Sequence, residues 1–150
     1  SASWQGMSLT SSRADILRSV YEGVVFSLVE CIDALRIEGD IVVSGGGFRS
    51  DLLCQILADT TGRRVLRQDA PEAGARGAAV LALVSAGRFP DVRAASEALG
   101  ATLEAFDPHQ EAKDVYAFAY DVFRETRRAL RPVWKPMREL RKATTDGERA

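Results

Sequence analysis

Little in these 150 residues marks the chain for a specialised compartment or a metal-based chemistry. Cys31 and Cys54 are its only cysteines, too few for a disulfide scaffold and without metal-ligand spacing. Both fall in apolar helical patterns, so two buried free thiols are expected. His109, the single histidine, stands beside Pro108 with no cysteine or acid cluster, which leaves it no catalytic or metal role. No apolar run approaches ~18 residues and no leader pattern opens the sequence, so a membrane partner is not expected and a cytoplasmic setting is the default. The formal charge of −1 supplies no global field toward nucleic acid or anionic lipid. Between Arg124 and Arg149 nine Lys and Arg residues do face only four acids. Their three- and four-residue spacing reads as a solvated helix face, and no nucleic-acid partner is assigned. Gly-Lys-Ser and Gly-Lys-Thr are missing, which excludes a Walker A loop.

What is present is an α/β pattern. Thr10, Ser11 and Ser12 offer N-caps for a long amphipathic helix from Arg13 to about Leu35, with Ile16, Leu17, Val20, Val24, Leu28, Cys31, Ile32 and Leu35 as its apolar stripe. Gly23 within it implies close approach by another backbone. Asp40-Ile41-Val42-Val43-Ser44 is β-branched and bounded by glycines, a buried strand. Leu52, Leu53, Ile56 and Leu57 carry a helix that stops at Gly62. Arg64-Val65-Leu66-Arg67 makes a second strand, parallel to the first because a helix joins them. Pro71 and Glu72 open a small-residue helix over 73–86, a short helix follows Pro90 over 91–99, and 102–106 reads as an extended segment without clear assignment. A last long helix runs from Glu111 to about Arg131, with Val115, Phe118, Ala119, Val122 and Leu130 on its stripe; Pro132 and Pro136 end it. Tyr116, Phe118, Tyr120 and Phe123 read as packing residues, and the last ten residues as a frayed tail. Two strands make a poor free-standing parallel sheet, so the chain is expected to be part of a larger fold.

The run that carries chemistry is Ser44-Gly45-Gly46-Gly47-Phe48-Arg49-Ser50, a strand-to-helix turn. Without Cβ atoms the backbone can reach positive φ and come into contact with a ligand. The helix behind it aims free N–H groups and a positive dipole end at whatever lies there, an arrangement suited to a nucleotide phosphate. Ser50 and Asp51 can cap that helix or meet a base or sugar edge. A plain tight turn fits the same residues. So, loosely, does a dinucleotide fingerprint, with Gly45, Gly47 and Ser50 as G-x-G-x-x-S and Asp69 as the ribose acid. The missing third glycine and the helix ahead of the first strand stand against that second reading. Asp59, Asp69 and Asp107 are conceivable bases, but the positions of Asp59 near a helix end and Asp69 in a loop favour solvated or structural roles. In Glu72-Ala73-Gly74-Ala75-Arg76-Gly77-Ala78-Ala79 one helix face is nearly bare backbone, suited to close packing of a neighbour.

Together with Gly6-Met7-Ser8, Arg18-Ser19-Val20-Tyr21-Glu22-Gly23 and Gln55-Ile56-Leu57-Ala58-Asp59 followed by Gly62-Arg63-Arg64-Val65, these runs resemble the C-terminal domain of the FGGY family of carbohydrate kinases, with a leaning toward xylulose and L-xylulose kinases. The resemblance implies part of a ribonuclease H-like, actin-like ATPase domain, helix-rich with short parallel strands and lacking the first three-strand meander. It implies ATP with Mg²⁺, whose γ-phosphate passes to a sugar or polyol hydroxyl. It places Gly45, Gly46 and Gly47 against the adenosine and α-phosphate and Ser50 near the base, and gives Phe48 and Arg49 no role. The family's catalytic Asp, Gly-Asp segment and Gly-Thr phosphate loop have no counterpart here, so no catalytic residue is assigned and the chain alone is expected to be inactive. Residues 1–99 are expected to form the ATP-binding core, incomplete on its N-terminal side, and 100–150 a helical extension. Apolar surface left uncovered by absent strands would favour self-association. A non-catalytic nucleotide-binding or oligomerisation module and a dinucleotide-binding oxidoreductase piece are the rival readings. The sugar is not legible, because its binding groups would lie mostly in the N-terminal portion.

Overall fold

A computed structural model describes residues 4–36, 38–68, 73–100 and 102–147. Helix α1 spans Arg13–Leu35 and begins with a reciprocal cap. The Asp15 N–H donates to Ser12 Oγ (3.2 Å), and the Ser12 N–H donates to Asp15 Oδ2 (2.9 Å). Two backbone donors that the helix leaves without carbonyl partners are thereby satisfied. The helix closes on Arg36, a non-glycine residue at φ 51°. Strand β1 (Ile41–Val43) leads through a 3₁₀ turn at Gly46–Arg49 into helix α2 (Asp51–Thr61), which ends at Gly62 in the left-handed region. Strand β2 (Val65–Gln68) follows.

The parallel β1–β2 pair expected from the helical crossover is present, with Ile41 opposite Val65 and Val43 opposite Arg67. The segment without clear assignment, Leu103–Phe106, is strand β3. It pairs antiparallel with β2, Val65 opposite Phe106 and Arg67 opposite Glu104, so the sheet is mixed rather than all parallel and has the order β1-β2-β3. Ile41, Val43 and Val65 point into the core, whereas Val42 on the opposite face is 60% exposed.

Helix α2 is the centre of the core. Its Leu53, Cys54, Ile56, Leu57 and Ala58 are buried against Val25, Phe26 and Val29 of α1, the inner face of the sheet, and Tyr116 of helix α5 (Lys113–Leu130). Full burial of an aliphatic side chain such as Ile56 or Leu57 stabilises by about 1.5–3 kcal/mol. In both long helices the buried face is turned from the predicted stripe. Leu17, Val20, Val24 and Leu35 of α1 and Val115, Phe118 and Val122 of α5 are exposed. The buried face of α1 is the one that meets α2, and on it Phe26 lies 6.4, 5.8 and 5.4 Å from the rings of Tyr116, Tyr120 and Phe123 of α5. Three of the four aromatics read as packing do pack; Phe118 does not. The same rotation leaves Cys31 exposed, against expectation, while Cys54 is fully buried.

Helices α3 (Ala73–Ser85) and α4 (Val92–Ala98) form a pair, with Val80 and Ala95 buried and Asp91 Oδ1 accepting from the Ala94 N–H at 2.8 Å. Pro71, Glu72 and Asp69 lie outside the described residues. After α5 a 3₁₀ turn at Arg131–Val133 leads into helix α6 (Trp134–Gly147), which takes in 141–147 of the ten-residue tail expected to be frayed. Pro136 sits in the first turn of α6, where a missing N–H costs no helical hydrogen bond. No described helix is long and apolar enough to cross a membrane.

Candidate functional site

The glycine turn leaves the C-terminal end of β1 on the inner side of the sheet. Gly45 has φ 100° and ψ 172°, a region open almost only to glycine. It throws the chain into the 3₁₀ turn, where the Phe48 N–H donates to Gly45 O (3.1 Å) and the Ser50 N–H to Gly47 O (3.4 Å). The amides of Gly46 and Gly47, first in the turn, have no carbonyl three residues back inside it. Ser50 then caps α2, its Oγ accepting from the Leu53 N–H at 3.4 Å.

Gly46 and Gly47 do not have positive φ. A Cβ added at Gly46 would meet nothing within 4 Å among the described residues, and one at Gly47 only Leu53 Cδ2 at 3.9 Å. Neither backbone conformation nor internal packing requires glycine at these two positions. At Gly23, Gly74 and Gly77, where close backbone approach was expected, the space where each Cβ would sit is likewise empty among the described residues. The small face of α3 is open instead of filled by a neighbouring helix, and Arg76 from that run binds the C-terminal end of α4, donating to Ser96 O at 3.2 Å.

Arg67 holds the turn from behind. Its Nη1 donates to Phe48 O (3.1 Å), Arg49 O (3.2 Å) and Asp51 Oδ1 (2.7 Å), while Nε and Nη2 bind Glu104 Oε2 on β3. Its guanidinium lies 5.1 Å from the centre of the Phe106 ring. These carboxylates hold the Arg67 pKa well above the ordinary guanidinium value, the Glu104 hydrogen bond first among them. Cys54 Sγ donates to the same Phe48 O at 3.4 Å, and burial pushes its thiol pKa up. No role was read for Arg67 in the sequence. The signal was available: two residues after Val65 it shares the inward face of β2, where an unpaired charge is rarely tolerated.

A second polar cluster lies at the far end of α2. Asp59 is buried, 5% exposed, and accepts from the His109 N–H (2.8 Å) and from Gln55 Nε2 (2.9 Å). Gln55 Nε2 also donates to Asp107 O at 2.9 Å, and His109 Nδ1 lies 3.3 Å from Asp59 Oδ2. Arg64 Nε donates to Asp107 Oδ1 at 2.7 Å. Apart from the Gln55–Asp59 bond within α2, these contacts tie residues 107–109 to α2 and to Arg64 just ahead of β2, a structural clip, in line with the structural reading of Asp59. The Arg18–Gly23 motif is structural as well. Arg18 Nη2 donates to Tyr116 Oη at 2.6 Å, and Tyr116 Oη donates to Glu22 Oε1 at 3.1 Å, fastening α5 to α1. Burial raises the Tyr116 pKa, opposed by the Arg18 hydrogen bond. Among the described residues no group of three or more His, Cys, Asp or Glu side chains is placed to hold a metal ion.

A family model described as the FGGY family of carbohydrate kinases, C-terminal domain, matches residues 1–86. A xylulose kinase of Staphylococcus epidermidis is 33% identical over 125 residues, covering 81% of this chain and 25% of that protein. The crystal structure of xylulose kinase from Rhodospirillum rubrum superposes with a TM-score of 0.73 at 25% identity, over 87% of this chain and 27% of that one. Plasmodium falciparum glycerol kinase with ADP superposes with a TM-score of 0.66 at 22% identity, over 81% of this chain and 26% of that one. The chain thus spans about a quarter of the length of the relatives it matches.

Proposed function

This chain belongs to the FGGY family of carbohydrate kinases through its C-terminal domain, with the actin-like ATPase fold of that family, and we propose that it forms the adenosine side of an ATP site in a sugar or polyol kinase. The observation that carries the reading is the turn as a whole: Gly45 at φ 100°, ψ 172° leads bare backbone across the N-terminal end of α2, with open space at Gly46. The residues present fit a nucleotide. Gly45, Gly46 and Gly47 would lie along the adenosine and α-phosphate, with the turn amides and the N-terminal dipole of α2 favouring the negative charge. Ser50 accepts the Leu53 N–H and keeps its hydroxyl proton, free to donate to a base or ribose edge. A similar fold crystallised with ADP supports the assignment.

Bound ATP supplies the phosphoryl group, and this chain's residues bind and orient it. Mg²⁺ would come with the phosphates, held by their oxygens and water, since the described donor set offers no cluster of its own. Phosphoryl transfer needs groups around the γ-phosphate and the accepting hydroxyl. In this reading those groups, the sugar-binding residues among them, belong to the rest of the kinase, and the isolated chain is inactive. Residues 1–99 form the nucleotide core and 100–150 an extension that adds β3 and α5 to it, in a cytoplasmic setting where ATP is available. Calorimetric titration with ADP–Mg, ATP–Mg and NAD tests the assignment: saturable ADP and ATP binding without NAD binding supports it, and NAD binding alone overturns it. A coupled ADP-release assay over pentuloses and polyols tests inactivity, which any turnover would refute. Exposed Val42, Phe118 and Leu103 also favour self-association, and a monomeric mass on size exclusion would count against that part.

A further inference from the structure

We infer that Arg67 is a positioning residue for the glycine turn, and that through Glu104 it couples ligand binding at Gly45–Gly47 to the docking of strand β3; the functional half of this inference rests on the nucleotide reading above. Two consecutive carbonyls, Phe48 O and Arg49 O, end on one guanidinium nitrogen, at 3.1 and 3.2 Å. Fixing two neighbouring carbonyls fixes the planes of two peptide units, and with them the orientation of the whole 3₁₀ turn. Among the described residues the only other side-chain donor to these carbonyls is the Cys54 thiol, a weak one. The same Nη1, its two hydrogens shared among three acceptors, also donates to Asp51 Oδ1 in the first turn of α2, and Nε and Nη2 donate to Glu104 at the facing register position of β3. A planar guanidinium is suited to this use, since its five N–H donors keep a fixed mutual geometry that an ammonium cannot copy.

The partner on β3 is what makes the arrangement more than a local brace. Glu104 lies beyond the residues matched to the family, which end at 86. The glycine turn therefore takes part of its support from a segment outside the family-matched region. A ligand that favours the ordered turn must then favour docked β3 by the same factor, and docked β3 must favour the ligand, because coupling between two sites is reciprocal.

Arg67→Met tests this without dismantling the fold. The side chains of Asp51 and Glu104 are 74% and 57% exposed, so water takes over both carboxylates once the cation is gone. Hydrogen–deuterium exchange on wild type should show slow amides at Phe48–Ser50 and 103–106 that slow further when ADP–Mg is added. In Arg67→Met those two segments should exchange faster while Ile56 and Leu57 of α2 hold their protection, and ADP affinity should fall about tenfold or more, the scale of losing charge-assisted hydrogen bonds. Glu104→Gln keeps the bonds to the turn and should lose about threefold in affinity and the ADP-dependent slowing of 103–106. Arg67→Lys should recover part of the affinity but not the protection of both segments. Arg67→Met that binds ADP within twofold of wild type, or that loses protection evenly across the core, overturns the inference and leaves the nucleotide reading standing. Wild type that shows no ADP-dependent change in exchange or heat overturns the nucleotide reading and the positioning role with it. Should Arg67→Met fail to fold, Glu104→Gln and Asp51→Asn carry the same comparison.

Discussion

Replacing Gly46 with alanine separates a ligand-binding glycine from a structural one. Gly46 lacks positive φ, and a Cβ there meets no described atom within 4 Å. Alanine costs the folded state nothing by conformation or contact and removes freedom from the unfolded chain, so Gly46→Ala should be neutral or stabilise by about 0.4–1 kcal/mol. Its neighbour provides the contrast. Gly45 at φ 100°, ψ 172° occupies a region that alanine enters only with strain, and Gly45→Ala should cost about 1–3 kcal/mol. For a chain of this size that is a fall of roughly 2–12 °C in melting temperature. Urea and thermal unfolding of wild type and the two variants measure these differences, and titration with ADP–Mg measures the other half. Gly46→Ala should lose ADP affinity by about tenfold or more while melting at or above the wild-type temperature, because the methyl group fills the space a nucleotide would take. If Gly46→Ala melts as low as Gly45→Ala, the glycine serves the fold. If it binds ADP as wild type does, nothing comes close to that backbone and the reasoning fails.

Three further outcomes follow from the polar clusters. Asp59→Ala strands the His109 N–H and frees Gln55, and should destabilise by about 1–3 kcal/mol in urea unfolding, with amides 107–109 the first to gain exchange. Tyr116→Phe removes the hydroxyl shared by Arg18 and Glu22 and should cost about 1–2 kcal/mol by thermal melting while leaving ADP binding intact. Burial first, and then its hydrogen bond to Asp33, push the Tyr120 pKa up to about 12. The unfolded chain gives up that proton near pH 10, so the associated stability is fully present below about pH 10 and is lost as pH rises toward 12. Tyrosinate absorbance near 295 nm should show Tyr116 and Tyr120 both titrating above the ordinary tyrosine value, and Tyr120→Phe should remove the component at about 12.

The glycine turn was legible because its chemistry is local: a β-branched strand, three glycines and a capping serine in one run need no tertiary information. The helix ends at Gly62 and Ser12 were legible for the same reason. What failed was choice of face. In α1 and α5 apolar residues occupy more than one side, and periodicity alone cannot say which side meets α2; the contacts that join the two buried faces, such as Phe26 with Tyr120, span more than ninety residues of sequence. Strand β3 was obscure because Leu103–Phe106 is too short to show alternation and exists only through pairing with β2. Arg67 was passed over because its partners Phe48, Asp51 and Glu104 come from three separate elements. Only the inward register of β2 hinted at it.

The most direct test of the central claim is an amide NMR titration of the chain with ADP–Mg, followed residue by residue. The account predicts saturable shifts centred on Gly45, Gly46, Gly47 and Ser50, smaller ones at 103–106, and none along the exposed side of α5. An unchanged glycine turn at millimolar ADP, or shifts that cluster elsewhere while the turn stays silent, would contradict it.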